Sequence, residues 1–181
     1  SRDGGKTWTP GGDISIPPSV SVMGADEPAI VKLKNGDLFA IVRTSTPYAY
    51  ETRSRDGGLT WAEPKPSQFY GHNTPACLLR LKDGSILRVW DNTPTPRRYP
   101  LVASISTDEC RTWSPPRTIA EPVMNAQGQP SFKTACYPSA VQADDGTIVL
   151  SWWETSEAGS NVRIARFNRT WVEAVQKGIR R

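Results

Sequence analysis

The sequence predicts an all-β chain built from repeated four-stranded antiparallel sheets, and three observations predict it. An eight-residue box recurs: Ser1 to Trp8 reads SRDGGKTW, Ser54 to Trp61 reads SRDGGLTW, and Ser106 to Trp113 reads STDECRTW, at spacings of 53 and 52 residues. Each repeat also carries two apolar strands joined by an Asn-Gly or Asp-Gly turn, the strongest short-range hairpin signal. Finally, the 181 residues include 16 Pro and 14 Gly. So many breakers exclude a helical bundle and favour short strands joined by turns.

The elements follow in order. The first two strands of each repeat read EPAIVKLKNGDLFAIVRT from Glu27, TPACLLRLKDGSILRVWD from Thr74 and YPSAVQADDGTIVLSWWE from Tyr137. A third strand leads into each box as YETRS, YPLVASIS and NVRIARF. A fourth starts at each box Trp, as TWAEPKP, TWSPPRTI and TWVEAV. A degraded fourth box runs from Ile164 to Trp171, keeping Arg-Thr-Trp and losing the Asp. Four-stranded meanders at a period of about fifty residues are the blades of a β-propeller. One sheet cannot bury both its faces, so neighbouring blades must stack. The expected partial propeller covers 1–181. It comprises the outer strand of a preceding blade with its connecting loop (1–26), three blades (27–66, 67–118 and 119–175) and a tail (176–181).

The boxes read as scaffold. An Asp in a turn accepts bonds from backbone N–H groups two residues on, Gly supplies positive φ at little cost, and the Trp buries its ring under the hairpin. Asp3, Trp8, Asp56, Trp61, Asp108 and Trp113 are thus structural. Glu109 and Cys110 stand where the other boxes have Gly-Gly, which predicts strain or a shifted turn.

Composition excludes several functions. There are 22 Lys and Arg against 18 Asp and Glu, a net charge of +4. No Lys/Arg block exceeds two residues, which argues against a nucleic-acid partner. The longest apolar runs, ILRVW and TIVLSWW, fall far short of the ~20 residues of a membrane span. Cys77, Cys110 and Cys136 have no CxxC spacing and read as free thiols. With no metal cluster and no phosphate loop, no cofactor is expected.

Strand order places the polar candidates. In a meander the Asp-Gly turns and the boxes share one face. The other face receives Glu27 and Tyr137 at the beginnings of inner strands, Arg43 at the end of a second strand, and Arg97–Arg98 and His72 in loops. Glu27, Arg43, Arg98 and Tyr137 therefore converge near the central channel. The alternatives are a core tyrosine, a plain Glu27–Arg43 ion pair, a solvated Arg97–Arg98 pair and an unremarkable histidine.

The S-x-D-G-G-x-T-W repeat resembles the Asp-box, or BNR, repeat of sialidases and related proteins. Positions between the boxes match as well. A Glu opening an inner strand, an Arg ending the next strand and then a box correspond to Glu27, Arg43 and Ser54. A second Arg after a Pro-containing loop corresponds to Pro96 and Arg98-Tyr-Pro-Leu101. A Tyr opening the last blade, then Asp-Gly, then Glu corresponds to Tyr137, Asp145-Gly146 and Glu154. The resemblance implies the C-terminal half of a six-bladed sialidase propeller, a retaining exo-glycosidase acting on a terminal acidic sugar. It makes Tyr137 the nucleophile, Glu27 its base, and Arg43 and Arg98 the carboxylate clamp. Arg97 is the fallback for Arg98, His72 a possible ligand contact, and Glu154 a supporting partner. The family's further Arg and its acid/base Asp have no match within the chain. A secreted or periplasmic setting is implied by resemblance alone, with no signal peptide visible.

Two other readings stay open: a non-catalytic propeller binding glycans or proteins, and an assembly fragment. The chain opens in mid-motif and reads as a fragment or processed piece. Three blades leave two open ends, so an N-terminal half or a second copy is expected to close the ring. By itself the chain is expected to hydrolyse a sialoside very slowly or not at all.

Overall fold

The computed structural model describes residues 1–174. Three antiparallel sheets follow one another along the chain. The first contains β1 (Asp26–Lys32), β2 (Leu38–Arg43), β3 (Tyr48–Ser54) and β4 (Lys65–Tyr70), hydrogen-bonded in that order. The second repeats the meander with β5 (Cys77–Arg80), β6 (Ile86–Asp91), β7 (Leu101–Ser106) and β8 (Arg117–Ala120). The third has three strands, β9 (Thr134–Gln142), β10 (Ile148–Ser156) and β11 (Gly159–Phe167). These sheets are propeller blades, and their strands lie where the apolar runs and Asp-Gly turns put them.

The sheets stack face to face. Every residue of β6 and of β7 is buried, as expected for a sheet covered on both sides. Leu87, Val89, Leu101, Ala103 and Ile105 pack against Ala135, Ile148, Leu150 and Trp152 of the third sheet. On the other side, Ile86 joins Val31, Leu33, Phe39 and Ile41 of the first sheet. Arg88, on that same side, is fully buried and lies over the rings of Phe69 and Trp90 at 4.9 and 4.4 Å. The outer sheets are open: β11 carries exposed Val162 and Ile164, and β1 exposed Ile30.

Several expectations require correction. The segment 169–173 is a helix, α1 (Arg169–Glu173), rather than a fourth strand. Its cause is local: Asn168 of the degraded box accepts from the Trp171 N–H at 2.9 Å and caps the helix, a role for which Asn is favoured. Residues 8–16 form no strand. The backbone passes so close to the second box that a Cβ on Gly12 would overlap the Leu59 carbonyl oxygen. One bond, Gly12 N–H to Gly58 O at 2.7 Å, fastens it there. The outer strands do not start at the box Trp. β4 and β8 each begin four residues later, at Lys65 after Trp61 and at Arg117 after Trp113.

The three boxes share one hydrogen-bond pattern. Oδ1 of Asp3, Asp56 and Asp108 accepts the backbone N–H groups three and four residues on, not two, at 2.8–3.1 Å. Oδ2 accepts the hydroxyl of Thr7, Thr60 or Thr112. The third box keeps this turn unshifted. Glu109 and Cys110 take the left-handed φ of 63° and 62° that Gly57 and Gly58 adopt elsewhere, a strained choice for residues with a Cβ. Something is gained in return. The Glu109 carboxylate accepts from Arg80 at 2.7 Å and from the Lys34 N–H at 2.7 Å, and Arg80 also donates to the Lys32 carbonyl. The substituted box thus ties the second sheet to the first.

The expectation of buried box tryptophans also needs correction. Trp8 is 77% exposed, and Trp61 and Trp113 are only half-buried. Among the described residues no sheet stands behind the first box; the other two rings are partly covered. Trp113 packs on the core between the first two sheets. Trp113→Ala should therefore cost about 2 kcal/mol, roughly half the usual loss for a fully buried Trp. A urea melt checks it, and no loss would mean the ring is not part of the packing.

The box aspartates dictate an acid response. Asp3 and Asp56 are held at about 2, led by hydrogen bonds from Thr7 and Thr60. Asp108 is also held at about 2, because bonds from Thr112 and Ser106 outweigh its slight burial. An unfolded Asp titrates near 3.9. Their stabilisation is thus fully present above about pH 4 and is lost as pH falls to about 2. Asp108→Asn should start less stable at neutral pH and lose less across that window, read by circular dichroism. An equally steep acid transition would contradict the pattern.

Candidate functional site

The strand register puts the boxes and the polar rim at opposite ends of the sheets. In the first sheet Leu38 pairs with Lys32 and with Ser54 at the box end, whereas Arg43 pairs with Asp26 at the other. Five residues of strand, roughly 17 Å, separate the two.

Two equivalent bulges build the rim. Glu27-Pro28 stand opposite the single residue Val42, and Tyr137-Pro138 opposite Trp152. Glu27 has φ 37° and Tyr137 φ 58°. Side chains rarely occupy that region, and such strain clusters at functional sites. Pro cannot donate to the ladder, so the residue pair Xaa-Pro at the start of an inner strand favours a bulge. The repeat of Xaa-Pro at residues 27, 74 and 137 was the signal available in the sequence.

The structure brings together Glu27, Arg43, Arg98 and Tyr137. Arg43 is buried and donates from Nη1 to Glu27 Oε2 at 2.6 Å and from Nε to Asn73 Oδ1 at 2.9 Å. Burial alone would lower its pKa; the bond to Glu27, with Tyr137 nearby, outweighs burial and raises it. The guanidinium of Arg98 lies 5.4 Å from the centre of the Tyr137 ring and donates to Cys136 Sγ at 3.3 Å. Burial opposes the charge of Arg98 too, yet the neighbouring Tyr137 and the bond to Cys136 hold its pKa above the ordinary arginine value. Tyr137 is 44% exposed, with Trp153 packed beside it at 6.1 Å between ring centres.

The remaining candidates are placed differently. Arg97 is exposed; its neighbour Arg98 is the one that covers the tyrosine. The His72 N–H donates to the Thr93 carbonyl at 3.0 Å, and its Nδ1 is buried without a hydrogen-bond partner. Asn73, next in sequence, is the residue that reaches Arg43. Glu154 is paired with Arg163 at 2.9 Å. Asp3, Trp8, Asp56, Trp61, Asp108 and Trp113 belong to the hairpins described above. Sequence reasoning missed Asn73 and Cys136. Asn73 has φ 53°, a conformation Asn tolerates better than most residues, but an isolated Asn in a loop gives no warning of that.

This geometry presents two arginines around an accessible phenol, with a carboxylate on one of them. Forked guanidiniums suit a carboxylate or similar planar anion.

The BNR repeat-like domain family matches residues 1–150. The chain belongs to that family. Solved structures share its fold. The intramolecular trans-sialidase of Ruminococcus gnavus, in complex with oseltamivir carboxylate, superposes with a TM-score of 0.72 at 21% identity over 97% of this chain. The NanB sialidase of Streptococcus pneumoniae gives 0.74 at 18% identity over 95%. A GH93 α-L-arabinofuranosidase of Fusarium graminearum gives 0.62 at 16% over 86%. The chain spans 38%, 27% and 49% of the length of those three proteins. No curated protein matches it by sequence. Among the described residues, no helix is long and apolar enough to cross a membrane. The BNR chain thus carries a propeller fold used by glycoside hydrolases.

Its thiols offer a check on the packing. Burial pushes up the thiols of Cys77 and Cys136 and raises Cys110 to about 12. Native protein should therefore react slowly with a disulfide reagent at mildly alkaline pH and fully once unfolded in urea. Rapid labelling of Cys136 in the native state would show that the floor of the rim is open to solvent.

Proposed function

We propose that the chain forms the C-terminal half of a sialidase-like catalytic domain, a retaining exo-glycosidase for a terminal acidic sugar. The observation that carries this reading is Tyr137, strained at a bulge and flanked by Arg43 and Arg98. A sugar carboxylate at the anomeric carbon would bind the two arginines. That carboxylate would repel an ionised Asp or Glu nucleophile, and a neutral phenol avoids the repulsion. Tyr is the recognised exception among glycosidase nucleophiles.

Glu27 would serve as the base. Its carboxylate is engaged by Arg43 at 2.6 Å. A substrate carboxylate arriving on Arg43 would compete for that guanidinium and free Glu27 to take the phenolic proton. The phenol oxygen then attacks the anomeric carbon, the aglycone leaves with a proton from an acid, and water later releases the sugar. That acid and a further carboxylate-binding Arg would come from the rest of the protein, and the remaining blades from there or from a second copy of the chain.

A fluorogenic sialoside assay on the protein carrying this chain tests the reading. Tyr137→Phe should reduce turnover by roughly 10³-fold or more, the order seen when a covalent nucleophile is removed, while N-acetylneuraminic acid still binds. Arg98→Ala should weaken that binding. Unchanged turnover in Tyr137→Phe would overturn the assignment.

A further inference from the structure

The last positions of the two-strand repeats are equivalent: Thr44, Asp91 and Glu154 follow Arg43, Trp90 and Trp153. All three are buried. Thr44 satisfies its hydroxyl by donating to the Tyr48 carbonyl at 2.8 Å. Glu154 is met by Arg163. Asp91 differs: it is 0% exposed, and neither carboxyl oxygen has a hydrogen-bond partner.

Its place is beside Arg98. Asp91 pairs with Leu101, and the Asn92 N–H donates to the Pro100 carbonyl at 3.0 Å, closing the loop that carries Arg98. The Arg98 carbonyl accepts the Ala135 N–H at 2.7 Å, which pins that loop to β9. The Arg98 side chain is held from the protein side by the Cys136 sulfur, a weak acceptor. The titratable and charged groups around Asp91 are Arg98 on its own loop and Cys136 on β9. Beyond the thiol stands Arg43 on β2, and His72 comes from the loop before β5.

We propose that Asp91 is a buried, neutral carboxyl beside Arg98 that leaves the guanidinium charge uncompensated for an anionic ligand. An ionised carboxylate without a single donor, removed from water, is so costly that the group keeps its proton. Burial indeed pushes Asp91 well above the usual carboxylate range, opposed only by the Arg98 charge. Were Asp91 ionised, it would be the counter-ion of Arg98 and compete with any acidic ligand. A neutral Asp91 makes the site select acidic over uncharged sugars. The ligand class rests on the function proposed above; the protonation state does not.

Two measurements on the protein carrying this chain test this. At neutral pH, the infrared difference between wild type and Asp91→Asn should contain the carbonyl stretch of a protonated carboxylic acid. Calorimetry should show Asp91→Asn binding N-acetylneuraminic acid within about twofold of wild type, since one neutral group replaces another. Tighter binding by roughly tenfold or more, or an absent band, overturns the proposal. If the Asn variant does not fold, Asp91→Ser replaces it. Failing both, carbon-13 carboxyl labelling of aspartate alone separates the band from that of any glutamate, including half-buried Glu51 on β3. If wild type binds N-acetylneuraminic acid no better than its uncharged carboxamide, the acidic-sugar reading fails while the infrared result still decides the state of Asp91.

Discussion

The middle sheet is buried on both faces, and the rest of the molecule depends on that stacking. Neither β6 nor β7 has an exposed residue, so each must alternate its side chains between two different cores. Apolar burial at about 25 cal/mol per Å² drives the association, but it fixes no end of the sheet over another. The polar ties do. At the box end Glu109 and Arg80 lock the second sheet to the first. At the rim the bond from Ala135 N–H to the Arg98 carbonyl locks the second sheet's loop to the third. With both ends held, three consecutive blades can place Glu27, Arg43, Arg98 and Tyr137 together although they span 110 residues of sequence.

The two ends of each sheet divide the labour. At one end the chain turns on Asp and Gly, which supply bonds and left-handed backbone, and only the third box puts the strained Glu109 and Cys110 there. At the other it bears strain at Glu27, Asn73 and Tyr137, none of them a glycine. Left-handed residues with a Cβ persist only where surrounding structure holds them, and here the bulges and stacked sheets do so. Asn73 also gives back some of the cost by accepting from Arg43.

Most of the architecture was legible in the sequence because it repeats. Strand order, hairpin turns and the shared box pattern need only local patterning and the period. The failures are where context overrides the pattern. TWVEAV carries the same Trp as the true boxes, yet Asn168 caps a helix there because no Asp box precedes it. Residues 8–16 look extended, but the tight approach at Gly12 leaves room for one bond and no ladder. The box tryptophans were read as buried because their rings are large; in fact an outer-edge ring is covered only as far as its hairpin reaches. At the rim, topology indicated which end Glu27, Arg43, Arg98 and Tyr137 occupy. Which of Arg97 and Arg98 turns inward, and that Asn73 and Asp91 stand beside the arginines, follows from loop geometry that no periodicity encodes.

The central claim is that Tyr137 is the atom-bearing nucleophile of an acidic-sugar site. A sialosyl fluoride bearing a second, ring fluorine tests it most directly. Its fluoride departs without an acid, and the ring fluorine slows release of a covalent adduct. Incubated with the protein carrying this chain and digested, it should leave the sugar's mass on the peptide containing Tyr137. A covalent adduct on any other residue, or turnover of the reagent with Tyr137 replaced by Phe at an unaltered rate, would contradict the account.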